Sequence, residues 1–241
     1  MIIDVHAHLD FLDESKIVEI EKDRDVNLVV SNSVNLESNR KNLELSKKYS
    51  KVKFGCGMYP DEKVLESEFD DFEKFVEENK KEIFAVGEIG MDFKEGKDRE
   101  LQERFFRRQL EIAKELEVPA IIHTRKAEEE IVEVLRDYDC FRILHCFSGK
   151  LKLVKEAVEI GCYFSIPTNI VRSEHFQKMV EMIPKEKILT ETDSPYLSPC
   201  KDKKNEPKFI KESIKVISKI WKKSIKETEK QIEENFNRIF K

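Results

Sequence analysis

The chain has 241 residues, 39% of them charged, and its 44 Lys and Arg against 49 Asp and Glu leave a net charge of −5. That length carries one large α/β domain or two small ones, and the acidic balance excludes holding a polyanion by bulk charge, so any nucleic-acid contact must be local. The five cysteines, Cys56, Cys140, Cys146, Cys162 and Cys200, lack C-x-x-C spacing and no apolar run approaches a membrane span, so we expect reduced thiols and a cytoplasmic protein with no membrane contact and no obligate protein partner.

The opening MIIDVHAHLD reads as a strand over Ile2 to Val5. Alternate side chains of a strand share a face, so His6 and His8 project together from its end and are able to grip one metal ion. By itself an H-x-H is weak, and the other ligand-type residues decide its meaning. Further β-branched runs follow: VNLVV at 26–30, VKFGC at 52–56, IFAVG at 83–87, PAIIH from 119, FRILH from 141, CYFSI from 162 and KILTE from 187. Between them lie amphipathic stretches. Leu101, Phe105, Ile112 and Leu116 fall on one helical face, as do Ile210, Ile214, Ile217 and Trp221. The polar residues of the Gln102 to Leu110 segment are expected to be interior hydrogen-bond partners. Alternating strands and helices imply a parallel sheet. Eight repeats over one domain, 1–241, match an α/β fold of the (β/α)8 TIM-like barrel type, with a doubly wound open sheet as the alternative.

On that frame Glu88 follows the fourth strand, His123 ends the fifth, His145 ends the sixth and Asp193 ends the eighth. In a barrel those ends converge on one face. Singly, each residue has a plain structural explanation: a hydrogen-bonded histidine, a turn at Asp193 before Ser194 and Pro195, a lysine partner for Glu88. Together on one rim they point to metal ligation. His175, on an expected helix, lacks this placement and reads as surface or core filler. Cys146 neighbours His145, but strand alternation aims it away from the histidines, which argues against a thiol nucleophile.

The blocks DVHAHLD, GEIGMDF (87–93), QERFFRRQL (102–110), IIHTRKA (121–127), HCFSG (145–149), ETDSPYL (191–197), NEP (205–207) and NFNRIF (235–240) span nearly the whole chain. In order and spacing the sequence resembles the TatD family of metal-dependent deoxyribonucleases, within the amidohydrolase-like barrels. The resemblance implies hydrolysis of DNA phosphodiesters, in some members as exonucleases. It implies that His6, His8 and Asp193 hold one metal, that Glu88 bridges two, and that His123 and His145 complete the second site. It also places Asn205 and Glu206 beside the cleft, with Glu206 contributing behind the ligands or to catalysis. One departure stands out: where many relatives carry G-x-H-P this chain has Gly57, Met58, Tyr59 and Pro60. Tyr59 is expected to touch substrate phosphate rather than metal.

Two divalent cations would neutralise phosphoryl oxygens and lower the pKa of a shared water toward about 7, so a hydroxide bridging them is the expected nucleophile. Asp193 would ligate metal and orient the hydroxide or accept its proton. Mixed histidine and carboxylate ligands suit Zn, Mn or Co, while Mg prefers oxygen. Arg125 is placed to turn its fork to phosphate, with a helix-cap or salt-bridge role equally open. Lys204, with Lys201, Lys203 and Lys208, is a candidate nucleic-acid contact or simply solvated surface. The expected partner is DNA, single-stranded or at an end. The alternatives are a hydrolase of small-molecule esters, amides or phosphate esters on the same dinuclear centre, and a non-catalytic nucleic-acid-binding barrel.

Overall fold

The computed structural model describes residues 1–60, 66–94, 96 and 98–240. Among them are the eight expected strands, β1 (Ile2–Ala7), β2 (Val26–Asn32), β3 (Val52–Cys56), β4 (Ala85–Gly90), β5 (Ala120–His123), β6 (Arg142–His145), β7 (Tyr163–Pro167) and β8 (Ile188–Glu191). The helices between and after them are α1 (Glu14–Lys22), α2 (Leu36–Lys48), α3 (Glu66–Asn79), α4 (Arg99–Glu115), α5 (Glu128–Val134), α6 (Leu151–Glu159), α7 (Glu174–Met182), α8 (Ile210–Trp221) and α9 (Ile225–Ile239). All strand pairs are parallel, and each strand neighbours the next in chain order. A doubly wound sheet reverses strand order at a switch point. This sheet does not reverse, and it curls into a nearly closed (β/α)8 barrel.

Closure comes from a seam between the first and last strands. The Asp193 N–H donates to the His6 carbonyl (2.8 Å), the His8 N–H to the Ser194 carbonyl (2.8 Å) and the Thr190 hydroxyl to the Ile3 carbonyl (2.8 Å). Asp4, buried at the seam, accepts from the Thr192 N–H (2.9 Å) and hydroxyl (2.5 Å). Burial pushes the Asp4 carboxyl up to about 8, against the pull of those bonds from Thr192.

Ile121, Ile143 and Leu189 stand two residues before His123, His145 and Glu191. Strand alternation therefore puts an apolar residue deeper on the same face and a polar one at the C-terminal end. That apolar layer packs with Phe236, Ile239 and Phe240 at the end of α9. A larger cluster joins the outer strand faces to the helices, with Phe54, Phe72, Phe106 and Phe164 fully buried.

The expected inward face of α8 is observed: Ile210, Ile214, Ile217 and Trp221 are all buried. On α4 the stripe is rotated. Its buried residues are Gln102, Phe106, Gln109, Leu110, Ile112 and Ala113, whereas Leu101, Phe105 and Leu116 are only partly buried. Two glutamines occupy that face because each clamps a peptide group. Gln102 accepts from the Asp92 N–H (2.8 Å) and donates to the Asp92 carbonyl (3.1 Å), and Gln109 does the same for Met58 (2.7 and 3.1 Å). The interior hydrogen-bonding role expected of this segment falls to Gln102 and Gln109, whereas Arg104 and Arg108 are exposed and Arg107 and Arg108 form surface ion pairs. β4 also runs further than expected, so Glu88 lies within the strand rather than after it. No helix among the described residues is long and apolar enough to cross a membrane.

Close approach of backbones fixes β3 against β4 near Glu88. A Cβ at Gly57 would lie 2.6 Å from the Gly87 carbonyl carbon and 2.7 Å from the Glu88 nitrogen, and at Gly90, where φ is +140°, it would lie 2.1 Å from the His123 oxygen. We expect Gly57→Ala to force the strands apart, costing about 1–3 kcal/mol of stability in urea denaturation. The same variant should lose divalent-cation affinity, because the obstructed backbone is that of Glu88. An unchanged midpoint and affinity would mean that β3 and β4 part without cost.

Candidate metal centre

Four imidazoles and two carboxylates meet at the C-terminal ends of the strands. His6 Nε2 lies 3.6 Å from Glu88 Oε2 and 3.5 Å from Asp193 Oδ1, and His8 Nε2 lies 3.3 and 3.4 Å from the same two oxygens. The other Glu88 oxygen, Oε1, is 2.9 Å from His123 Nδ1 and 3.0 Å from His145 Nε2. Glu88 therefore spans two histidine pairs with one oxygen to each. Donor atoms of His6, His8 and Asp193 lie within 4.8 Å of one another, as do those of His6, Glu88 and His145.

The backbone and the partners behind each ring set these directions. The Glu88 N–H donates to the Ser33 carbonyl (3.0 Å). His8 Nδ1 donates to the Asn32 carbonyl (3.0 Å), which leaves Nε2 facing the carboxylates. His123 Nε2 is held by Asp92 Oδ2 (3.1 Å), which turns Nδ1 inward. His145 Nδ1 faces Glu191 Oε1 at 3.5 Å. His6 has no such partner: it stacks on His145 with ring centroids 3.9 Å apart. Asp193 sits just past β8 with φ at +59°, a left-handed conformation that Asp tolerates better than most residues.

Both nitrogens of His6 and Nδ1 of His145 are buried without a hydrogen-bond partner. A buried polar atom left unpaired costs about 1–3 kcal/mol, and of these His6 Nε2 faces the Glu88 and Asp193 oxygens. Nitrogen and oxygen donors converging in this way fit divalent cations. Electrostatics agree. Burial works to raise the Glu88 carboxyl, yet the charges of His145 and His6 and the bonds of His123 and His145 hold it well below its ordinary range. Asp193 is likewise depressed, burial being outweighed by the neighbouring imidazoles of His6 and His8. Burial opposes protonation of His8, but Asp193 and Glu88 overcome it and lift His8 to about 10. His145 is raised too, burial losing to Glu191 and Glu88. In His6 burial wins, aided by the neighbouring His145, and its pKa falls. Protons on imidazoles thus balance the two carboxylates where cations would otherwise do so.

A cavity of about 650 Å³ opens above the cluster, with His8, Glu88, His123, His145, Asp193, Arg125 and Tyr59 among its lining residues. The Tyr59 hydroxyl donates to Asp92 Oδ2 (2.6 Å) and stands 3.2 Å from His123 Nε2, so it braces the partner of a ligand as well as facing the cavity. Burial and the Asp92 bond keep that hydroxyl protonated. Arg125 Nη1 is 3.6 Å from the same Asp92 oxygen.

Asn205, Glu206 and Lys204 do not join this lining. Asn205 is buried and donates to the Thr168 hydroxyl (2.8 Å) and the Thr192 carbonyl (2.6 Å), bracing the segment that carries Asp193. Glu206 is drawn off by Lys16 (3.5 Å) and Lys208. Lys204 is exposed and borders a small side groove with Leu12, Asp13 and Lys16. His175 stands 3.4 Å from the Phe147 carbonyl, outside the cluster.

Cys146 packs against the apolar cluster between strands and helices and does not line the cavity. It lies beyond β6 with φ at +43°, where strand alternation no longer governs direction. Burial and the charges of Glu191, Asp193 and Glu88 push its thiol well above the ordinary range. Burial first, and its place away from the cavity, keep it from acting as a nucleophile. Asp92 and Glu191, which stand behind His123 and His145, are not among the residues that sequence reasoning singles out. The available signals were their spacings, four residues after Glu88 and two before Asp193.

The TatD related DNase family model matches residues 3–241. An uncharacterized metal-dependent hydrolase of Methanocaldococcus jannaschii is 36% identical, with 99% of this chain and 96% of that protein covered. The human protein named deoxyribonuclease TATDN3 is 30% identical, with coverage of 99% and 94%. Among solved structures, the TatD homologue YjjV of Escherichia coli superposes with a TM-score of 0.89 at 23% identity, covering 99% of this chain and 97% of its own.

Cation loading must displace protons from His8 and His145, whose pKa values are raised in the metal-free cluster. Titration calorimetry with Mn2+ at pH 7 in two buffers of different ionisation enthalpy should therefore give different heats, with affinity rising as pH rises. Equal heats would contradict the proton balance. Without metal, the stability contributed by His8 is complete below its unperturbed 6.5 and is lost as pH climbs through about 10.

Proposed function

The chain belongs to the TatD-related DNase family of metal-dependent hydrolases, and on that premise we propose that it hydrolyses DNA phosphodiesters with two divalent cations. His6, His8 and Asp193 would hold one cation, His123 and His145 the other, and Glu88 would share an oxygen with each. The observation that carries this assignment is the division of Glu88 between two histidine pairs, at 3.3–3.6 Å on one side and 2.9–3.0 Å on the other. The donor set favours Mn, Zn or Co over Mg.

When bound, such cations supply charge neutralisation at phosphoryl oxygens and acidify an attacking water. The protein's own groups do the rest. Imidazoles ligate as neutral groups, so two carboxylates leave a doubly loaded centre cationic and attractive to phosphate. Asp193, kept ionised by His6 and His8 and facing the cavity, is positioned to take the proton of the attacking water. Arg125 on the cavity wall offers its guanidinium to a non-bridging phosphate oxygen. Asn32 and Asp92 keep the donor nitrogens of His8 and His123 inward. Glu88 is only 3% exposed at the floor, which suits an unpaired strand or end better than an intact duplex. Five free thiols accord with a reducing cytoplasmic location.

Loss of partners behind metal ligands costs ~10–100-fold, so His6→Ala and Asp193→Asn, which remove ligands themselves, should lower cleavage of 3′-labelled single-stranded DNA by at least about 100-fold. Circular dichroism should show the fold retained. Undiminished turnover in either variant would remove the site. Wild-type hydrolysis of small esters with DNA left intact would replace the nuclease assignment by a small-molecule hydrolase.

A further inference from the structure

We propose that Phe11 and Tyr196 form a base-stacking subsite beside the metal centre, committing the enzyme to phosphodiesters flanked by an unpaired nucleobase. The proposal rests on the phosphodiesterase function above and adds which part of the substrate is gripped and by what. Phe11 and Tyr196 are 45% and 54% exposed, two of the three large exposed hydrophobic residues among those described. They come from opposite ends of the chain, after β1 and after β8, yet both line the same cavity. Both also reach the same expected ligand. The Phe11 ring lies 5.4 Å from the His8 ring at 23°, and the Tyr196 ring 6.3 Å from it at 69°.

Their placement is rigid as well as exposed. The Phe11 N–H donates to the His8 carbonyl (3.2 Å), the Tyr196 N–H to the Asp193 carbonyl (2.7 Å), and the His8 N–H to the Ser194 carbonyl (2.8 Å). Each ring is therefore tied through backbone to a residue expected to hold metal, so its distance from a phosphate bound there is set by the fold. A nucleobase is the part of a nucleotide that presents a flat π-face, and every base has one, so aromatic stacking binds without demanding a sequence. The acidic floor of Glu88 and Asp193 takes phosphate only through cations, which leaves affinity for the base to the rings. The cavity also has an aliphatic wall of Val34, Leu36 and Met58. That wall offers apolar contact without a ring face and is the competing seat for the base.

The test compares a 3′-labelled single-stranded oligonucleotide with one whose terminal residues are abasic, in the Mn2+-loaded enzyme. Wild type should cleave the base-bearing strand with the higher kcat/KM. Phe11→Leu and Tyr196→Leu should each lower that value about tenfold, mainly through KM, and compress the preference over the abasic strand, while Tyr196→Phe retains it. Metal content measured on each variant separates stacking from damage to the centre. Binding of the two strands by fluorescence anisotropy reads the subsite even where nothing is cleaved. Tighter binding of the base-bearing strand, lost in the leucine variants, would uphold the subsite while absent cleavage would sink the nuclease assignment. Equal preference for both strands, in cleavage or in binding, or a preference untouched by either leucine, would overturn the subsite, and the nuclease assignment would stand wherever cleavage is seen.

Discussion

Burying Glu88 and Asp193 among four imidazoles is the constraint the rest of the structure serves. Glu88 is 3% and His6 0% exposed, and a lone carboxylate at such depth would be costly or would neutralise itself by taking up a proton. Both carboxyls are instead held below their ordinary range by the histidines around them. The desolvation that makes these charges expensive also strengthens their pull on a cation. A (β/α)8 barrel meets this demand because residues remote in sequence converge at the strand ends. The apolar layer beneath them packs with the α9 aromatics and closes the barrel below the site.

Three of the four imidazoles are directed from behind, by the Asn32 carbonyl, by Asp92 and by Glu191. These contacts choose which nitrogen faces the carboxylates, and a ligand with the wrong nitrogen inward binds nothing. Helix α4 extends that support outward, since Gln102 grips the peptide of Asp92 while Gln109 grips that of Met58, next to Tyr59. The departure from G-x-H-P is accommodated at this point. A phenol at position 59 spans to Asp92 and to His123 Nε2, so the substitution bears on the orientation of a ligand as well as on the cavity wall.

The strands, the barrel and the six clustered side chains were legible in sequence because each leaves a local mark: a β-branched run, a histidine at its end, a carboxylate at a fixed offset. What was not legible depended on partners far away. The inward stripe of α4 is rotated because the choice of which polar residues turn inward, Gln102 and Gln109, is set by the peptides of Asp92 and Met58, distant in sequence. Asp92 and Glu191 look like ordinary acids until His123 and His145 are seen beside them. Glu206 and Lys204 followed the ligands in sequence, but Lys16 and Lys208 hold Glu206 elsewhere and Lys204 borders a separate groove. Cys146 turns from the histidines as expected, although it lies past the end of β6, and packs against the cluster between strands and helices.

The seam has a consequence for how the molecule is made. His6 and His8 belong to the first strand, and Asp193 follows the last, joined to them by the Asp193 N–H and the His6 carbonyl. A chain emerging from the ribosome therefore exposes two histidines early and must add all eight strands before the acid that unites them arrives. Vectorial synthesis delays assembly of the His and carboxylate cluster until the barrel is able to enclose it.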